Sequence, residues 1–184
     1  MTLNTSDTQK ISIRNAKFAK LGLIDLCDYI GDMSQFKMAE IGCYVGDSTE
    51  IFLPRVKWCF CIDPWENGYD PNDGASEGIE MSIVEKQFNQ LRNNYDNFTK
   101  YKCKSNEAAY IFDDGFLDLV YIDGLHTYDG VKNDIELYKS KIKKGGYLAG
   151  HDYGSKHFLG VKDAVDEFCT PDATFKDSSW IVKI

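Results

Sequence analysis

The sequence predicts a single-domain α/β protein, a doubly wound and mostly parallel sheet that closes with a C-terminal antiparallel hairpin. Three observations carry this expectation. Short apolar runs alternate five times with segments of helical periodicity, and the chain then ends in ATFKDSSWIVKI, which reads as two strands turning at Lys176 to Ser178. A glycine turn, GCYVG at 42–46, joins the first strand to the first helix of that alternation, and an acid, Asp63, tips the second strand. Residues 117–153 hold two more apolar strands, whose ends carry Asp123, Gly124 and His126 in one case and His151 and Asp152 in the other. Parallel strands bring these groups to one edge, where open α/β sheets place their ligands.

Taken in order, residues 1–12 are polar and read as a loose tail. Residues 15–30 space Phe18, Leu21, Ile24 and Cys27 as a helix face, with Gly31 as its stop. Met38 to Cys43 is an apolar strand. Asp47 or Ser48 caps a short helix through Phe52, and Pro54 helps to end it. Val56 to Ile62 is a dense apolar strand stopped by Asp63-Pro64. Residues 65–78, WENGYDPNDGASEG, have the turn chemistry of a long loop, to be read as a lid or binding loop or as a mobile insertion.

A helix over Met81–Tyr95 presents Val84, Phe88, Leu91 and Tyr95. Tyr101 to Lys104 is a short strand, and Ser105-Asn106 opens a helical turn. After the strand Leu117–Ile122, a helix aligns Tyr128, Val131, Ile135, Tyr138 and Ile142, with Asp129, Asp134 and Glu136 on its solvated side. Lys139 to Lys144 suit the negative end of that helix. Gly145-Gly146 then turns the chain into a strand, Tyr147 to Ala149. Residues 158–168 form the last helix, through Val161, Ala164, Val165 and Phe168.

At 184 residues the chain fits one core, and its net charge of −8 without a basic run argues against nucleic acid as a partner. No apolar run reaches bilayer length, so no membrane partner is expected. The polar start carries no signal peptide, so the expected location is the cytoplasm. Six cysteines occur without a CxxC pair. Cys59 and Cys61 are expected on opposite faces of their strand, as buried small hydrophobes in a reducing compartment rather than zinc ligands or disulfides.

The glycine turn suits close approach to a ligand, and the spacing from Gly42 to Asp63 is that of a ribose-binding acid. The pattern G-x-x-x-G matches neither the dinucleotide fingerprint nor a P-loop. The residues therefore point to an adenosine without saying which one.

The segments AEIGCYVGDST, CIDPW, SNEAAYIF, LDLVYIDGLHTYDGVKNDIELY, KKGGYLAGHDY and GVKDAVDEF resemble class I S-adenosylmethionine-dependent methyltransferases. Within that class the chain is similar to the small macrolide-sugar O-methyltransferases and cephalosporin-hydroxylase-like proteins. The resemblance implies a seven-stranded sheet with an antiparallel last strand, and S-adenosylmethionine as cofactor. It implies Gly42 and Gly46 against the methionine end, Glu40 in the same pocket, Asp63 on the ribose hydroxyls and Ser105 or Asn106 near adenine. Trp65 covers the adenine or packs on the core. A pocket lined by Glu40, Asp63 and Asp123 suits a sulfonium, whereas a phosphate-rich ligand such as NAD would want cations and helix N-terminal amides.

Metal-dependent O-methyltransferases of the catechol type are similar in a further respect. By that likeness Asp123, His151 and Asp152 stand at the metal positions and His126 stands as the base. A divalent ion, Mg²⁺ or Mn²⁺, would lower the pKa of the acceptor hydroxyl, and a histidine could take its proton near neutral pH. His151 departs from the pattern, which has a carboxylate there. Either the metal differs, or His151 is no ligand, or no metal binds. His126 could instead cap the next helix with Thr127, His151 could be a hydrogen-bonded strand end, and His157 reads as surface. A non-haem iron oxygenase could use His126, His151 and Asp152, but has no need of an adenosine site.

The reading is a methyltransferase acting on a hydroxyl oxygen of a small molecule or sugar. Its acceptor pocket would come from the N-terminal helix, the 65–78 loop and the 153–160 loop, or from a second subunit of a homo-oligomer. Two alternatives stand beside it. One is an inactive S-adenosylmethionine-binding module serving as a regulatory or partner subunit, and the other is a nucleotide-dependent oxidoreductase.

Overall fold

The computed structural model describes residues 17–71 and 78–184. The tail 1–12, residues 15 and 16, the side chain of Phe18 and residues 72–77 of the long loop lie outside the described residues. The elements are α1 Lys17–Ile30, β1 Lys37–Ile41, α2 Thr49–Phe52, β2 Trp58–Ile62, α3 Met81–Phe88, β3 Phe98–Tyr101, α4 Ser105–Ala108, β4 Leu117–Ile122, α5 Tyr128–Lys139, β5 Ile142–Gly150, α6 Leu159–Phe168, β6 Ala173–Thr174 and β7 Trp180–Lys183.

The seven strands form one sheet in the order β3-β2-β1-β4-β5-β7-β6. The first five are parallel, and β7 runs antiparallel to both β5 and β6. The order reverses at β1, which lies between β2 and β4. That switch point is where two crossovers leave in opposite directions and open a crevice.

Both faces of the sheet are buried, which is why its strands read as continuous apolar runs. Leu119 and Tyr121 of β4 pack with Leu23, Leu26, Phe52 and Phe88 on one face. Val120 and Ile122 pack with Val131, Ile135, Val161 and Val165 of α5 and α6 on the other. Each such side chain taken fully from water contributes about 1.5–3 kcal/mol.

Several boundaries differ from the sequence expectation. β3 lies at Phe98–Tyr101 rather than 101–104. It is an edge strand with only Phe98 fully buried, so its apolar signal is dilute. The third helix stops at Phe88 and tightens into a 3₁₀ turn over Asn89–Asn93. Ile142 does not belong to the face of α5. It opens β5 opposite Leu117, and β5 takes five steps to Tyr147 while β4 takes two to Leu119. This bulge absorbs Gly145 and Gly146. A Cβ on Gly146 would stand 2.7 Å from the Asp118 carbonyl oxygen.

Two placements are corrected. Cys59 and Cys61 share a face, with their sulfurs 3.6 Å apart, because residues two apart in a strand point the same way. Asp134 is not on a solvated side of α5. It is 2% exposed, since it stands three residues after Val131 and four before Tyr138, within the buried stripe.

Candidate functional site

The strand ladders run one residue past their ends and fix the site residues on a common edge. The Gly42 N–H donates to the Ile62 carbonyl at 2.9 Å, Asp63 to Tyr101 at 3.2 Å, Asp123 to Ile41 at 2.8 Å and His151 to Ile122 at 3.0 Å. Successive C-terminal strand ends thus present Glu40-to-Gly42, Asp63, Asp123 and His151-Asp152 side by side.

The glycine turn is held by Asp63. One carboxylate oxygen accepts the N–H of Cys43 at 3.0 Å and of Tyr44 at 2.9 Å, and the other accepts that of Trp65 at 2.7 Å. Burial raises the Asp63 pKa, and these three donors pull against it. Gly42 has φ +82°, and a Cβ there would lie 1.9 Å from the Asp123 carbonyl oxygen, so the turn needs glycine to pass the end of β4. Gly46, at φ +93°, faces Leu91.

Glu40 is fully buried and accepts hydrogen bonds from the hydroxyls of Ser48 and Thr49, the latter at 2.6 Å. Ser48 thereby serves Glu40 and makes no side-chain cap on α2. Trp65 is 4% exposed, donates its indole N–H to the Tyr44 carbonyl at 2.9 Å, and packs on Phe88 with ring centroids 4.9 Å apart. Ser105 is buried and Asn106 exposed at the start of α4.

The four groups delivered by β4 and β5 converge. Ligating atoms of Asp123, His151 and Asp152 all lie within 4.8 Å of one another. His151 Nδ1 is 3.0 Å from Asp152 and 3.6 Å from Asp123, and its Nε2 lies 4.0 Å from Asp177. Asp152 adopts φ +61°, a left-handed conformation rare for a non-glycine residue, so the turn that aims its carboxylate is strained. Two carboxylates and one imidazole nitrogen suit a borderline divalent ion better than one that demands all-oxygen coordination. The side chain of Asp177 is fully buried behind His151, at an ion-pair distance rather than a hydrogen-bond distance, and its oxygens accept the backbone N–H and the hydroxyl of Ser179 at 3.0 and 2.9 Å.

His126 does not cap α5. Thr127 does so alone, its hydroxyl accepting the Gly130 N–H at 3.0 Å. The His126 ring instead stacks on Phe158 at 4.4 Å and lies among three acids. Nδ1 is 2.8 Å from Asp70, while Nε2 is 3.1 Å from Asp152 and 3.6 Å from Asp123. Burial alone would lower its pKa, but hydrogen bonds to Asp123, Asp152 and Asp70 outweigh it and push the value up to about 12. Burial would likewise raise Asp152, yet bonds from His126 and His151 hold it well below the usual carboxylate range.

Three further acids lie outside the site residues expected from the sequence, and two of them were not legible there. Asp70 lies in a loop without periodicity, Asp177 in the hairpin turn, and Asp134 in a helix whose heptad spacing did contain the signal. Burial pushes the Asp134 carboxyl up to about 7, partly offset by a hydrogen bond from Ser105.

A family model described as a methyltransferase domain matches residues 39–153, a span that contains every site residue from Glu40 to Asp152. The chain belongs to this methyltransferase-domain family. The domain is 30% identical over 119 residues to uncharacterized protein R132 of Acanthamoeba polyphaga mimivirus, a match covering 62% of this chain and 50% of that protein. The chain thus spans about half the length of the curated relative it matches.

Solved structures, two of them of methyltransferases, share the fold of this domain at low identity. The O-methyltransferase NovP superposes with a TM-score of 0.63 at 14% identity, over 90% of this chain and 77% of NovP. The N-methyltransferase NodS from Bradyrhizobium japonicum, solved with S-adenosylhomocysteine, gives 0.60 at 15%, over 97% and 94%. A Corynebacterium glutamicum protein gives 0.64 at 12%, over 100% and 91%. Among the described residues, no helix is long and apolar enough to cross a membrane.

Proposed function

We propose that this protein transfers the methyl group of S-adenosylmethionine to a hydroxyl oxygen of a small molecule or sugar, with a divalent ion assisting, Mn²⁺ fitting the donor set better than Mg²⁺. One observation carries the reading. An Asp-His-Asp cluster with a fourth group, His126, stands at the β4 and β5 ends, next to a glycine turn whose neighbouring strand ends in Asp63.

In the reaction, the acceptor oxygen forms a bond to the methyl carbon as the carbon–sulfur bond breaks in line. The thioether leaves neutral, and the hydroxyl proton must go to a base. His126 is that base in this reading. Asp70 holds its Nδ1, which leaves Nε2 turned toward Asp123 and Asp152, where the acceptor hydroxyl would lie. A divalent ion held by Asp123, His151 and Asp152 would supply charge that lowers the hydroxyl pKa. With those carboxylates engaged, their hold on the His126 proton weakens. Phe158 and the 153–160 segment would wall the acceptor, alone or with a second subunit.

S-adenosylhomocysteine and NAD, each titrated calorimetrically with and without Mn²⁺ or Mg²⁺, test the reading. Heat from S-adenosylhomocysteine that is weakened in Asp63→Ala supports it. No heat from that ligand under any condition overturns it, and heat from NAD alone favours the oxidoreductase alternative. A hydroxyl acceptor turned over by wild type but not by His126→Ala separates the enzyme from an inactive binding module.

A further inference from the structure

The methyl-transfer reading leaves one buried donor without a role. Trp180 opens β7 and is fully buried, yet its indole Nε1–H has no hydrogen-bond partner among the described residues. An indole nitrogen only donates, and a buried donor seldom goes without an acceptor. The backbone shows why this nitrogen lies where it does. Trp180 pairs with Gly150 across β5 and β7, and a Cβ on Gly150 would stand 2.8 Å from Nε1. Glycine thus leaves room for the indole edge, one residue before His151. The same point is 2.6 Å from the Ile122 carbonyl oxygen, which already accepts the His151 N–H.

The indole faces open space as well as packed side chains. Trp180 lines a small cavity with Val131 and Val161 on its apolar side and Asp123, His126 and His151 on its polar side. The space is that of about one water molecule. It lies against three of the four groups that converge at the ends of β4 and β5. Among the lining residues Asp123 is the one carboxylate, and none carries a hydroxyl. A compact oxygen that both accepts and donates fits this chemistry. The indole offers it a donor, and Asp123 offers it an acceptor.

We propose that the cavity is a site for one buried water, which accepts a hydrogen bond from Trp180 Nε1–H and donates one to the Asp123 carboxylate. Trp180 is thereby a positioning residue. Through the water it orients a carboxylate of the Asp123-His151-Asp152 set, as outer partners orient the groups that ligate an ion. That role rests on the reading that a divalent ion binds there, whereas the water site does not depend on it.

The test begins with the metal-free full chain, labelled with ¹⁵N at its three tryptophans. The Trp58→Phe and Trp180→Phe variants assign the indole signals. In wild type the Trp180 indole proton should show a cross-relaxation peak to a long-lived water, and so should the Val131 and Val161 methyls. Trp180→Phe keeps an aromatic ring but deletes the donor, and should lose the peaks at both valines. Val161→Met keeps the donor but fills the cavity, and should lose the peak at the indole; it also supplies the readout if Trp180→Phe does not fold. Followed by electron paramagnetic resonance, each variant should bind Mn²⁺ about tenfold more weakly than wild type. Absence of the water peaks in wild type overturns the inference. Water peaks in wild type with unchanged Mn²⁺ affinity in both variants overturn the positioning role. If wild type binds no Mn²⁺, the ion reading itself fails, and the water peaks still decide the site.

Discussion

Asp70 binds His126 twice through a single oxygen. Its Oδ2 is 2.8 Å from the ring Nδ1 and accepts the backbone N–H at 2.8 Å. A residue from the β2–α3 connection is thereby fastened to the end of β4, across the crevice. In metal-free protein, NMR of the His126 ring should show imidazolium with no titration between pH 6 and 9. Asp70→Asn should lower its pKa by about one unit or more. A wild-type ring that titrates near its ordinary value would contradict the three-acid environment.

Asp134 predicts a stability difference that depends on pH. Its folded pKa, near 7, is above the unfolded value, so the unfolded chain holds fewer protons between about pH 4 and 7. Stability must then fall as pH rises through that window and level off above it. Asp134→Asn removes this dependence. Relative to wild type it should gain up to about 4 kcal/mol between pH 4 and pH 8 in urea unfolding. Parallel curves for the two proteins would mean that Asp134 is not held protonated.

Gly42 and Gly46 both have positive φ, yet their neighbours differ. Alanine at 42 would drive its Cβ into the Asp123 carbonyl, whereas alanine at 46 would meet the movable end of Leu91. Gly42→Ala should cost about 4 kcal/mol or fail to fold, and Gly46→Ala about 1–3 kcal/mol. Equal midpoints in denaturant would remove the argument that β4 requires a glycine at 42.

Asp63→Asn offers a complementary measurement. The carboxylate holds three backbone N–H groups, so the amide should lower stability by about 1–3 kcal/mol. It should also weaken S-adenosylhomocysteine. Unchanged thermal stability would show that the turn is set by its own backbone.

Mn²⁺ binding, followed by electron paramagnetic resonance, addresses the Asp123-His151-Asp152 cluster. Asp152→Ala and His151→Ala should each abolish it, and His151→Asp should shift preference toward Mg²⁺, because carboxylate oxygen suits the harder ion. At one hundred times its Kd the ion should stabilise wild type by about 2.7 kcal/mol. Retention of Mn²⁺ by the His151→Ala variant would show that the imidazole is not a ligand.

Apolar periodicity made most of the sheet legible, because β1, β2, β4 and the second half of β5 are largely buried and read as apolar runs. Edge strand β3 escaped, having one fully buried side chain. The bulge in β5 escaped because register belongs to pairs of strands, not to one. Asp123, His126, His151 and Asp152 could be read together, since parallel strands send their C-terminal ends to one side. Asp70 and Asp177 could not, because loop conformation alone brings them in. Asp134 could have been found, since a charge inside an apolar stripe every three or four residues is a buried charge.

The thiols packed around the glycine turn give the domain a built-in reporter. Burial raises the pKa of Cys43, Cys59 and Cys61, so each resists alkylation while the sheet is intact. Burial also raises the pKa of Cys103 and Cys169, but both are partly exposed, so reagent reaches them while the sheet is intact. Pulse labelling read by mass spectrometry would therefore count openings residue by residue. Modification of Cys43 ahead of Cys59 would time the loosening of the cofactor turn separately from the loss of the central strands.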